Sequence, residues 1–247
     1  MHKLVINNNS KNFEDFLLNI SSNFHKSHNT IHKARNELKI INYNDIDTVV
    51  KSFKVPNFFR RIFYTFFRDS KAKKSYEYSI KIGDFTPNPI GYIEFYDNNL
   101  LNESYFISEK FDYDFTIREP LLDVNFKNQI EIFKQFAKFT YLLHEKGILH
   151  KDYSPGNILI KQKNDDYVFK IVDINRMKFK ELSLEERLKN FSQLWALDEY
   201  LTIIIKEYSN LIQENESKCL RIALQYSQKH KDKKNWKKRI KGEKVID

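Results

Sequence analysis

Glycine and proline are scarce here, five of each in 247 residues, and Cys219 is the only cysteine. A lone cysteine excludes an intramolecular disulfide and a cysteine-rich metal site, and it suits a reducing cytoplasm. With so few backbone breakers, each glycine and proline is worth locating. Long hydrophobic runs are missing too. The longest are a few residues, such as Ile203 to Ile205, far below the ~20 needed to span a bilayer. The opening MHKLVINNNSKNFEDFLLNI has no sustained apolar stretch and no small-residue cleavage signal, so no secretory leader is expected. A soluble or membrane-peripheral protein is the expectation.

What is abundant is apolar and basic. Hydrophobic residues make up 41% and aromatics 15%, which gives ample material for a core and argues against global disorder. The length suits one good-sized core or two small lobes sharing a cleft. Lys and Arg outnumber Asp and Glu by 42 to 33, a formal charge of +9. That excess favours an anionic partner: nucleic acid, an acidic membrane surface or a phosphorylated substrate.

Along the chain, the first ~30 residues are rich in Asn, Ser and His and are expected to be loosely held. LKII (38–41), the turn-like 42–45 and DTVVKSF (47–53) read as a hairpin ending at Pro56. In 57–82 the apolar residues Phe59, Phe63, Phe66 and Phe67 recur at helical spacing, and a second helical piece starts near Ser70, with Gly83 as its C-cap. Two strands follow, 90–96 and 103–111, and then a long amphipathic helix over 125–146 carrying Ile130, Phe133, Phe136 or Ala137, and Tyr141. From Leu184 onward the pattern is helical. The expectation is an α+β, two-lobed fold: a sheet-bearing N-lobe over 1–108, a hinge at 109–113 and a helical C-lobe over 114–247.

The strongest chemical signal is His150-Lys151-Asp152-Tyr153-Ser154-Pro155-Gly156-Asn157. It follows a helix and precedes a hairpin whose second strand ends in Ile171-Val172-Asp173. His-x-Asp-x4-Asn, with an aspartate about twenty residues on, resembles the protein-kinase-like catalytic core. The residue types suit phosphoryl transfer from ATP. Asp152 would orient the acceptor hydroxyl and accept its proton, and Asn157 and Asp173 would hold Mg2+, a hard cation that prefers oxygen donors.

Such a core also needs a strand lysine paired with a helix glutamate. Val49-Val50-Lys51 supplies the lysine. Lys54 competes, but a period of two puts Lys51 on the Val49 face and Lys54 on the other, beside Pro56. Glu77 is the only carboxylate between Asp69 and Asp84 and is the expected partner. Glu109 and Phe111, at the hinge, are assigned to the nucleotide. Three features depart from the protein-kinase pattern. No glycine lies between Leu38 and Lys51, so no glycine-rich loop covers the phosphates. Ser154 stands where a Ser/Thr protein kinase has lysine. After Asp173 the chain reads Ile174-Asn175-Arg176, with little room for a peptide-docking activation segment. A small-molecule or glycolipid acceptor fits better.

VVKSFKVPN, the stretch from Arg68 to Tyr78, TPNPIGYIE, LHEKGILHKDYSPGNIL and IVDINRMKF together resemble the lipopolysaccharide kinase family. The resemblance covers roughly 35–200. It implies a cytoplasmic enzyme at the inner membrane face that phosphorylates a Kdo or heptose sugar of the lipopolysaccharide core, with Asp152 matching the catalytic aspartate. An atypical Ser/Thr protein kinase and a non-catalytic pseudokinase are the alternatives. No obligate protein partner is evident. FFRRIFYTFFR has the composition of an interfacial helix, against the blander expectation that its phenylalanines pack inside the N-lobe. The basic KHKDKKNWKKRIKGEK either attracts anionic lipid or is a solvated tail. No nucleic-acid recognition fold accompanies it.

Overall fold

A computed structural model describes residues 1–33, 36–53, 57–164, 166–240 and 242, with side chains except those of residues 32, 33, 58 and 60. Lys54 and Pro56, named above, lie outside the described residues. The chain forms two compact units: 1–112 with 173–175, and 113–172 with 176–247.

In the first unit, β1 (His2–Ile6), β2 (Thr30–Lys33), β3 (Asn36–Tyr43), β4 (Ile46–Phe53), β5 (Pro89–Asp97) and β6 (Leu100–Glu109) form one sheet in the order β1-β5-β6-β4-β3-β2. Every neighbouring pair is antiparallel. The two tight hairpins turn without glycine. Asn44-Asp45 (φ 50°, 60°) and Asn98-Asn99 (φ 49°, 59°) take the left-handed conformation, which short polar side chains tolerate.

The amino-terminal residues are not loosely held. After β1 pairs with β5, the short helices α1 (Glu14–Leu18) and α2 (Ile20–Lys26) cover one sheet face. Phe13, Phe16, Leu17, Ile20 and Phe24 pack there on Val50, Ile90, Ile93, Tyr105 and Ile107. The polar composition hid a helical apolar spacing of three and four. Gly91 permits the close approach: a Cβ there would lie 2.6 Å from the Val5 carbonyl oxygen and 2.8 Å from Leu17 Cδ2.

Between β4 and β5 lie α3 (Phe58–Phe66) and α4 (Lys71–Ile82). Ser70 caps α4 by accepting from the Lys73 amide, and Gly83 ends it at φ +57°. Ala72 and Tyr76 pack on the other sheet face, against Phe53, Tyr92 and Phe106.

The second unit is mainly helical: α5 (Arg118–Leu122), α6 (Gln129–Glu145), α7 (Leu184–Asn190), α8 (Asp198–Leu211) and α9 (Glu216–Ile240). Short strands β7 (Phe115–Thr116), β8 (Ile148–His150), β9 (Ile158–Lys163), β10 (Asp166–Ile171) and β11 (Met177–Phe179) pair as β10-β9-β7 and β11-β8. The buried stripe of α6 runs through Ile132, Phe133, Phe136, Ala137, Thr140, Leu143 and His144. Ile130, assigned to that stripe from spacing, is 56% exposed in the first turn. Among the described residues no helix is long and apolar enough to cross a membrane.

Candidate active site

The His150–Asn157 loop links β8 to β9. Its flanks are fixed by pairing, His150 with Met177 and Ile158 with Ile171. Tyr153 points inward, fully buried. Its hydroxyl shares a 2.8 Å hydrogen bond with Thr140, its ring stacks on Phe136, and its amide donates to Gln193 Oε1 at 3.2 Å. His150 is also buried. Its Nδ1 accepts from the Asp152 amide at 3.0 Å and its Nε2–H donates to the Val172 carbonyl at 3.0 Å, the assignment that satisfies both ring nitrogens.

Asn157 Nδ2 donates to the Asp152 carbonyl at 2.9 Å, and the Val172 amide donates to the Asn157 carbonyl at 2.9 Å. The loop backbone is thus tied at both ends and at its middle. The Asp152 carboxylate stays 40% exposed, 3.7 Å from the Arg176 guanidinium.

In the other unit, Lys51 lies on the β4 face that carries Phe53. It is only 9% exposed and donates to Asp173 Oδ1 at 2.6 Å. Asn175 Nδ2 donates to the same oxygen at 2.8 Å. Asp173 has φ +57°, a left-handed conformation costly for a non-glycine residue and concentrated at functional sites. The Phe53 ring supports Lys51 Nζ at 5.5 Å and Lys71 Nζ at 5.9 Å.

Glu77, the expected partner of Lys51, is placed elsewhere. Its carboxylate meets Lys73 at 3.6 Å and is 48% exposed. The reason is helical phase: α4 buries Ala72, Ser75, Ser79 and Ile82, and Glu77 falls on the opposite side at 3.6 residues per turn. Glu109 ends β6, where its amide donates to the Asn88 carbonyl and its carboxylate accepts from Asn88 Nδ2, at 2.9 and 3.0 Å. Phe111 is half-buried in the segment that leads out of the first unit.

Sequence reasoning missed Asn175, Arg176, Lys71 and Asn190. Asn175, two residues past Asp173, offered a local signal. Asn190 offered none. It sits at the end of α7, buried, and its Nδ2 donates to the His150 carbonyl at 2.9 Å across forty residues of chain. Its Oδ1 accepts from His144 Nε2–H at 3.2 Å, and His144 Nδ1 accepts from the Tyr208 hydroxyl at 2.7 Å. Burial pushes the His144 pKa down to about 4, so this ring is neutral.

Taken one at a time, Asn157 and Asp173 each offer an oxygen donor of the kind magnesium takes. Asn157 commits its amide nitrogen to the Asp152 carbonyl, which leaves Oδ1 as its coordinating atom, and Asp173 is a part-exposed carboxylate. Among the described residues no group of three His, Cys, Asp or Glu side chains could cage a metal. Magnesium bound by one or two protein oxygens plus substrate phosphates and water needs no such cage.

No known family model matches the chain. Its structure is similar to that of WaaP in complex with acyl carrier protein, with a TM-score of 0.61, 11% identity, and coverage of 93% of this chain and 98% of the other. The Rio2 kinase–ADP/Mg2+–phosphoaspartate complex from Chaetomium thermophilum matches at a TM-score of 0.47 and 13% identity, over 86% and 67% of the two chains. In sequence, 63 residues are 44% identical to a probable serine/threonine-protein kinase, fhkA, of Dictyostelium discoideum. The matched stretch is a quarter of this chain and a tenth of that relative. The fold is α+β and protein-kinase-like.

Proposed function

We propose that this protein transfers the terminal phosphoryl group of ATP to a hydroxyl of a lipopolysaccharide inner-core sugar, Kdo or heptose, at the cytoplasmic face of the inner membrane. The observation that carries the reading is the backbone-pinned loop that presents Asp152 on a protein-kinase-like fold, with a buried strand lysine paired to Asp173. Asp152 orients the acceptor hydroxyl and takes its proton as the acceptor oxygen bonds to phosphorus and the bond to ADP breaks. Lys51 holds the ATP phosphates, and the adenine end falls to the segment around Glu109 and Phe111. Asp173 and Asn157 would hold magnesium, which would supply neutralisation of charge on the phosphate oxygens. The glycolipid acceptor is favoured by the sequence resemblance, by Ser154 in the loop, and by the ten residues that separate Asp173 from the first residue of α7.

A Ser/Thr protein kinase is the second reading, supported by the 63-residue likeness to the Dictyostelium kinase. One experiment separates the two: labelled ATP and Mg2+ with Kdo-lipid A, heptosylated core or a generic protein substrate. Label on a glycolipid supports the first reading. Label on protein alone overturns it in favour of the second, and no label on any acceptor returns the chain to a pseudokinase.

A further inference from the structure

The helix α3 is amphipathic in the reverse sense to a core helix. Its polar side faces the protein: Arg61 Nε donates to the Leu101 carbonyl at 2.9 Å, and Nη2 to the Leu100 and Asp97 carbonyls at 3.3 Å. Thr65 Oγ1 accepts from the Leu101 amide at 3.0 Å and donates to the Arg61 carbonyl at 2.7 Å. Two polar side chains thus clamp the helix to the β5–β6 turn. The opposite side carries Phe63, Phe66 and Phe67, which are 48%, 66% and 76% exposed, and Phe59 at 80%. At 3.6 residues per turn these four positions share an arc of roughly 100°. The Phe67 amide still bonds back to the Phe63 carbonyl at 3.0 Å, so the ring at the helix end is held in the same register.

The sequence around this edge is mainly basic, with Arg61 3.9 Å from Asp97 and Lys73 meeting Asp69 and Glu77. From 60 to 74 the chain carries Arg60, Arg61, Arg68, Lys71, Lys73 and Lys74 against Asp69 alone, six positive to one negative. A second copy of this +9 chain would bring the same basic flank to the contact. An anionic bilayer complements both features, taking rings at the acyl boundary and cations at the headgroups.

We propose that α3 is a membrane-docking element, which lays Phe63, Phe66 and Phe67 on an anionic lipid surface. This deepens the reading of a membrane-glycolipid substrate, but lipid binding is measurable without ATP or acceptor, so the two stand or fall separately. The test is co-sedimentation of the full chain with phosphatidylcholine vesicles, with and without phosphatidylglycerol. The double variant Phe66→Ser, Phe67→Ser is expected to lose at least about tenfold in partitioning to the anionic vesicles and to keep its unfolding midpoint, since it empties no core. Removing phosphatidylglycerol weakens the parent protein in the same direction.

Unchanged partitioning of the double variant overturns the proposal. So does a loss found only in a Lys233→Glu, Lys237→Glu variant of α9, which would give the membrane contact to that helix. Concentration-dependent dimerisation abolished by the phenylalanine substitutions, with lipid binding intact, would assign the face to a second copy instead. Should vesicle binding follow the prediction while no glycolipid is phosphorylated, docking stands and the catalytic reading falls.

Discussion

Around Asp152 the loop backbone is fixed by backbone and buried side-chain bonds, whereas Lys51 and Asp173 meet in a part-exposed ion pair. The loop has His150, Asn157, Tyr153 and Asn190 as struts, each buried or half-buried. At the pair, Lys51 and Asn175 both donate to Asp173 Oδ1, and the Asp173 carboxylate is 34% exposed. Under the proposed function the difference would match two tasks. A proton acceptor gains from being held still before the reaction. A lysine that must bind arriving phosphates has to let go of its resting partner, and a part-exposed pair worth on the order of 1 kcal/mol yields readily to a polyphosphate. On that reading the loop is preset and the pair is exchangeable.

The sharpest way to break this contrast is at the carboxylate itself. Asp152→Ala is expected to lower kcat by about 10²–10⁴-fold while leaving ATP affinity close to the parent's, read by turnover and by nucleotide titration. Full turnover would remove Asp152 from the chemistry. Asp173→Ala makes the complementary variant: under the proposed role of Lys51 and Asp173, magnesium-dependent nucleotide binding is expected to weaken, read by nucleotide titration with and without Mg2+.

Next in size is the strut that no motif announced. Asn190→Leu leaves the His150 carbonyl and the His144 Nε2–H without their bonds. Each buried orphan costs about 1–3 kcal/mol, so the denaturation midpoint should fall clearly, and kcat should fall with the KM for ATP unchanged. A variant that lost stability but kept kcat would show that the loop holds its shape without Asn190.

Much of this was legible in the sequence. The β3–β4 hairpin, the cap and stop of α4 at Ser70 and Gly83, and the loop from His150 to Asn157 all rest on short-range chemistry, which a linear pattern carries directly. What failed depended on phase or on distant contact. Glu77 was chosen as the only available carboxylate, but which side of α4 it occupies is set by Ala72, Ser75, Ser79 and Ile82 meeting the sheet. The phenylalanines of α3 have the spacing of a core helix. Nothing in that spacing says that Arg61 and Thr65, not the rings, meet the β5–β6 turn. The amino-terminal segment looked loosely held from its polar composition, yet its apolar residues complete a face that β4, β5 and β6 leave open.

Acid should weaken the preset network in a predictable window. Burial is the largest cause that holds the His144 pKa down to about 4 from 6.5, with Arg187 adding to it, while the Asn190 hydrogen bond and Glu145 pull upward. Tyr208, packed on it from α8, donates a hydrogen bond to Nδ1. The unfolded chain therefore takes up a proton first. This residue's contribution to stability is complete above about pH 6.5 and is lost as pH falls toward 4, by at most roughly 3 kcal/mol. Denaturant midpoints measured across that range should slope less steeply in His144→Gln than in the parent. Equal slopes would mean that the ring titrates in the fold as it does in the unfolded chain.

The smallest expected effect bears on the exchangeable side. Glu77 is half exposed and, among the described residues, its ion pair is with Lys73, one turn earlier on the same helix. Exposed pairs of this spacing contribute about 0.3–0.5 kcal/mol, so Glu77→Gln should barely move the unfolding midpoint. Lys51, meanwhile, already has Asp173 at 2.6 Å. The informative reading is therefore kinetic, on a protein of unchanged stability. If ATP releases Lys51 from Asp173 and nothing else on α4 engages it, kcat and KM stay within about twofold of the parent. A tenfold rise in the KM for ATP would mean that the nucleotide draws Glu77 off Lys73 and onto Lys51, and the resting pair would then be the first half of a two-partner exchange.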